Sequence, residues 1–167
     1  MDTQIQQTFE QLKQTISIST SPFHTAQEAL RQLSDAGFVI LDWDSTWELV
    51  PGGKYAVCPF GTTVFGFQVG TDLSDTPVWK LSSSHIDNPG FRIKYNPVVS
   101  SKNGCRLNTE VYGGAIYSTW LDRPLSIAGR IALKNPQSAP PPLKLVERKP
   151  PVAVWPNLAI NLQRAMK

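Results

Sequence analysis

The chain has 167 residues, 41% of them hydrophobic, with 16 Lys+Arg against 13 Asp+Glu and a formal net charge of +3. That length suits one domain or two small ones, and the apolar share excludes a wholly disordered chain. No apolar run approaches the ~20 residues of a membrane-spanning helix, so no membrane partner is expected. The first twenty residues lack the basic start and apolar stretch of a secretory signal. Cys58 and Cys105 are too few for a disulfide scaffold and have no zinc-knuckle spacing. The expectation is a soluble, reduced, cytoplasmic protein.

The charge is unevenly placed. Residues 1–129 hold 9 basic and 12 acidic side chains, whereas residues 130–167 hold 7 basic ones and the single acid Glu147. Half of the 14 prolines fall between Pro136 and Pro156. Such a tail reads as a solvated linker, a nucleic-acid arm, or a segment completed by something outside the chain. Its one aromatic residue, Trp155, is too little for base stacking, so no nucleic-acid partner is expected.

Ile5, Phe9, Leu12 and Ile16 recur at helical spacing, which predicts an amphipathic helix at the start. A second helix is bounded by Ser21 as N-cap, Pro22 in the first turn and Gly37 as terminator. Its apolar stripe is Phe23, Ala26, Ala29, Leu30 and Leu33. His24 falls in its first turn and reads as a surface or capping histidine rather than a ligand. From Phe38 the pattern turns strand-like. Phe38–Leu41, Lys54–Val57, Thr62–Val69, Val78–Leu81, Phe91–Tyr95, Arg106–Val111 and Ile127–Leu133 are the predicted strands, and Pro59-Phe60-Gly61 joins the second to the third. Two helices followed by strands predict an α/β fold that becomes β-rich.

One short stretch reads as site chemistry: His85-Ile86-Asp87-Asn88-Pro89, directly after the predicted Val78–Leu81 strand. Alternate strand residues share a face, so His85 and Asp87 would point the same way. Ligands bind at the carboxyl ends of strands in open α/β sheets. Imidazole is a good zinc ligand, commonly steadied by a carboxylate on its other nitrogen. The competing reading is a turn histidine held by Asp87, since a zinc site needs three or four ligands.

Ser82 to Pro89, followed by Arg92-Ile93-Lys94-Tyr95-Asn96-Pro97, resembles the His-Thr-Asp-Ser-Pro segment of the aspartyl aminopeptidase family of dinuclear zinc metalloaminopeptidases. Other blocks resemble the same family in the same order. They are Ser21-Pro22-Phe23-His24, Pro51-Gly52-Gly53-Lys54-Tyr55, Phe67-Gln68-Val69-Gly70, Glu110 to Gly114, Thr119 to Leu125 with Ala128-Gly129-Arg130, and Pro156 to Arg164. The resemblance implies that His85 is a zinc ligand. It implies that Asp87 is the adjacent active-site aspartate, orienting the metal-bound group or the catalytic carboxylate. Asn161 stands where the family usually has a histidine that reaches a neighbouring subunit, and asparagine cannot replace imidazole as ligand or proton carrier. Ile86 and Asn88 replace a family threonine and serine.

The resemblance also implies an architecture. Residues 1–97 would open the α/β proteolytic domain, and residues 98–167 would open a β-rich inserted dimerisation domain containing the Pro-rich connector. The family's other metal ligands and paired glutamates would lie beyond Lys167. After His85 the chain offers only Asp87, Glu110, Asp122 and Glu147 as acids, and the last three fall in blocks that look structural.

Three readings follow. The first is an N-terminal portion of a zinc aminopeptidase for N-terminal acidic residues of peptides, inactive alone and forming homo-oligomers built from dimers. The second is a non-catalytic remnant or assembly subunit that pairs with a separate C-terminal polypeptide. The third is an unrelated β-rich module whose Pro140-Pro141-Pro142 and Pro150-Pro151 recruit SH3-like partners.

Overall fold

The computed structural model describes residues 3–72, 78–102, 104–135 and 137–159. These divide into two compact units. The first comprises the residues up to Asp87 together with Gly129–Val146, and the second comprises Asn88–Ala128 with the residues from Glu147 onward.

The first unit begins with helix α1 (Thr3–Ile18) and helix α2 (Pro22–Asp35). Ser21 is extended (φ −153°) and its hydroxyl accepts from the backbone N–H of His24, as an N-cap should. The same hydroxyl lies 2.7 Å from His24 Nδ1, so this histidine belongs to the cap. Beyond the helix, Gly37 takes the left-handed conformation (φ +83°) that lets the chain reverse. Strands β1 (Val39–Leu41), β2 (Lys54–Val57) and β3 (Phe65–Gln68) form a sheet in the order β1–β2–β3. The first pair is parallel, with Val39 opposite Tyr55, and the second antiparallel, with Tyr55 opposite Phe67. The core sits where α2 meets β2: among the described residues, Ala26, Tyr55, Ala56 and Val57 are the buried apolar ones.

Glu28 is buried on α2 and fully partnered. Arg31 grips both carboxylate oxygens, Nε to Oε2 at 2.8 Å and Nη2 to Oε1 at 2.6 Å, and Gln32 Nε2 donates to Oε1 at 2.9 Å. Gln32 Nε2 also reaches Thr15 Oγ1 of α1 at 3.0 Å, which ties the two helices together. Later in the chain, Arg130 returns to this unit. Its guanidinium lies 4.3 Å from the centre of the Phe23 ring, and its Nη1 donates to the Phe60 carbonyl at 3.2 Å.

The second unit is built on an antiparallel hairpin, β4 (Gly90–Ser101) and β5 (Gly104–Tyr112). The register slips between Ile93–Thr109 and Val98–Leu107. Pro97 lies in the slip, where the missing N–H does no harm, and Asn108 Nδ2 donates to the Asn96 carbonyl at 3.2 Å. A short 3-10 turn at Tyr117–Thr119 leads to Trp120. Phe91 meets Trp120 and Trp155 edge-on at 5.0 and 4.9 Å, and Tyr117 meets Trp155 at 5.7 Å. Trp155 is thus a packing residue.

β6 (Pro124–Ala132) and β7 (Leu143–Val154) form a two-stranded sheet, and the unit boundaries fall within them. Two expectations are corrected here. The Pro-rich stretch is not merely a connector, because Leu143–Val154, including Pro150 and Pro151, is strand. A two-stranded sheet consists only of edges, and edges tolerate proline. Conversely, Val78–Leu81 forms no strand. Val78, Trp79 and Leu81 are 87%, 75% and 90% exposed, and among the described residues no strand pairs with them.

Candidate active-site residues

His85 and Asp87 lie in irregular backbone after residues 78–84, so the strand expected to end at His85 does not position them. Their contact forms nonetheless. His85 Nδ1 is 2.9 Å from Asp87 Oδ1, with the imidazole 89% exposed and the carboxylate 18% exposed. Nδ1 thereby faces the carboxylate, which leaves Nε2 as the nitrogen available to a metal.

The remaining acids after His85 have partners within the second unit. Asp122, in the left-handed conformation (φ 55°), accepts from the backbone N–H of Asn157 at 2.8 Å, while its own N–H donates to the Trp155 carbonyl at 2.9 Å. Glu110 stands opposite Arg92 across the hairpin, and Glu147 pairs with Lys149 at 3.7 Å. Among the described residues, no three His, Cys, Asp or Glu side chains gather as a metal site. The chemistry of His85 and Asp87 therefore fits one corner of a zinc site, an imidazole ligand with its orienting carboxylate, and not the whole donor set. Asn161 lies outside the described residues. Cys58 is half-buried, Cys105 is exposed, and both are free thiols.

The second unit also holds a groove of about 600 Å³, lined by Asn88, Pro89, Ile116, Trp120, Arg123 and Leu125 among others, where the sequence marks an apolar cluster but not a groove. Its walls are mostly apolar, with the Arg123 guanidinium the one charged group. The Arg123 Nη1 donates to the Thr119 carbonyl at 3.2 Å. The signal was present as the dense apolar run Ile116–Leu125. Only the hairpin brings that run beside Pro89: a Cβ on Gly113 would lie 3.3 Å from the Pro89 ring.

The described residues thus form an α/β opening followed by two-stranded sheets, with the His85–Asp87 pair ahead of the β4–β5 hairpin. Residues 15–167 match the family described as aminopeptidase I zinc metalloprotease (M18). The chain belongs to the M18 family. It is 43% identical over 147 residues to a probable M18 family aminopeptidase 2 of Clostridium acetobutylicum, covering 87% of this chain and 34% of that protein. It also resembles the solved structure of Chaetomium thermophilum mApe1 (TM-score 0.71, 31% identity, 90% of this chain and 35% of that one). A third relative is the S. cerevisiae mApe1 dodecamer (TM-score 0.76, 25% identity, 89% and 35%). The chain thus spans about a third of the length of the relatives it matches. Family membership replaces the reading of an unrelated SH3-recruiting module.

Proposed function

We propose that this chain is the N-terminal portion of a zinc-dependent aminopeptidase that removes N-terminal, acidic residues from peptides. His85 would hold zinc through Nε2, and Asp87 would fix the imidazole through Nδ1. Bound zinc would supply Lewis acidity and an activated water. The contribution of this chain is to present one oriented ligand. The observation that carries the reading is the 2.9 Å His85–Asp87 pairing within a chain of the M18 family.

The domain boundary belongs to the same proposal, with residues 1–97 opening the proteolytic domain and residues 98–167 opening a dimerisation insert. So do homo-oligomerisation, for which the dodecameric relative is the support, and a cytoplasmic location. No helix among the described residues is long and apolar enough to cross a membrane. The chain alone is expected not to turn over, because one imidazole and one carboxylate cannot hold a metal pair and also supply a general base.

A second reading, a non-catalytic subunit pairing with a separate C-terminal polypeptide, is favoured by the partial donor set. Assays with glutamyl, aspartyl and leucyl p-nitroanilides decide between them, run on the chain alone and on the chain completed with the remaining part of the Clostridium relative. Chelator-sensitive hydrolysis of the acidic substrates by the completed enzyme supports the first reading, and a completed complex without hydrolysis supports the second. Robust hydrolysis by the chain alone contradicts both.

A further inference from the structure

α1 carries Ile5, Phe9, Leu12 and Ile16 at successive spacings of four, three and four, the alternation of a heptad seam. None of the four is covered: they are 56%, 55%, 56% and 66% exposed. The helix itself is anchored, since Thr15 accepts from Gln32 of α2. Its charged side chains, Glu10 and Lys13, pair with each other at 3.0 Å, so the rim of the seam carries no net charge. A fixed amphipathic helix with an open apolar stripe is shaped to pack against another element.

Two candidates could cover it. A second copy of α1 would have to associate through two heptads, fewer than the three or four that mark a self-standing coiled coil. Packing inside a globular fold needs no greater length, because neighbouring elements supply the rest of the interface. The chain spans 34% of its Clostridium relative, so the greater part of an M18 chain is available as that neighbour. We infer that the α1 seam docks an apolar face of the remaining, C-terminal portion of an M18 aminopeptidase chain. The inference rests on the proposed function above and names the partner surface that completion of the enzyme requires. Since the seam is apolar and its rim neutral, this docking should resist added salt.

The test is co-expression of the full 167-residue chain, tagged, with the part of the Clostridium acetobutylicum relative that lies beyond its match. Phe9→Glu and Leu12→Glu place a charge on the seam, and Gln7→Glu places one on the opposite, polar face. All three sites are exposed, so circular dichroism of each variant alone should match the parent. The expected result is co-purification of the parent and of Gln7→Glu, unchanged at high salt, with at least ~10-fold less partner recovered by either seam variant. Equal recovery by the seam variants, or no co-purification by the parent, overturns the inference. So does concentration-dependent self-association of the chain alone that Phe9→Glu abolishes, because a second copy is then the occupant. A complex that forms as expected but hydrolyses no peptide leaves the docking in place and removes the aminopeptidase reading. Hydrolysis by a complex indifferent to the seam variants does the reverse.

Discussion

Asp87 Oδ1 lies 2.9 Å from His85 Nδ1, across a single intervening residue and without a strand to align them. The carboxylate can only accept, so the neutral imidazole must carry its proton on Nδ1 to make this bond. The expected outcome is a predominantly Nδ1–H tautomer in the nitrogen-15 spectrum of His85 at neutral pH. In Asp87→Ala the populations should move toward the Nε2–H form. A spectrum unaffected by the substitution would show the contact to be absent in solution.

Glu28 makes stability depend on pH. Hydrogen bonds from Arg31 and Gln32, with the Arg31 charge adding to them against the cost of burial, lower its pKa from 4.5 to about 2. The folded pKa lies below the unfolded one, so the unfolded chain binds more protons on acidification. The stabilisation is therefore complete above the unfolded value, and is lost as pH falls from about 4.5 through about 2. Urea unfolding at neutral pH should show Glu28→Gln less stable by about 1–2 kcal/mol, and the gap should close toward pH 2. An unchanged gap at low pH would contradict this account of the Arg31 grip.

Much of the fold was legible because its signals are local. Ser21, Pro22 and Gly37 bound α2 by backbone chemistry that needs no tertiary context, and the β2–β3 and β4–β5 pairs follow from nearby turns. The errors lie where a strand depends on a distant neighbour. Val78–Leu81 has strand-forming residues and, among the described residues, no partner strand. Lys149-Pro150-Pro151 has poor strand residues, yet it pairs with β6, which lies earlier in the chain. The candidate site divides in the same way. His85 and Asp87 are two residues apart and could be read from spacing, whereas the groove needs Ile116–Leu125 brought back against Pro89 by the hairpin.

Gly61 should not accept a side chain. It sits in the left-handed region (φ +74°), and a Cβ there would come within 2.7 Å of Arg130 Nη1. Gly61→Ala should therefore cost about 1–3 kcal/mol, from strain and from displacing the guanidinium off Phe23. If the displaced guanidinium supplies part of that cost, Gly61→Ala and Arg130→Met should be less than additive in a double-mutant cycle. Full additivity would separate the two effects.

Trp155 should be a stability residue of the second unit. Its indole meets Phe91 at 4.9 Å and Tyr117 at 5.7 Å, both edge-on. Trp155→Ala should lower stability by about 2–4 kcal/mol in denaturant unfolding, while Trp155→Phe recovers part of the loss. A loss that Phe does not reduce would point away from ring packing.

The proposed role of His85 as an active-site metal ligand is tested most directly by kcat/KM of the completed enzyme with and without that imidazole. The chain is joined to the remaining part of its Clostridium relative and assayed on a glutamyl substrate, with zinc content measured in parallel. His85→Ala should lose activity by about 100-fold or more together with bound zinc, and Asp87→Asn should lose about 10- to 100-fold, the range expected for an orienting partner. A His85→Ala enzyme that retains both its zinc and its kcat/KM would contradict the assignment.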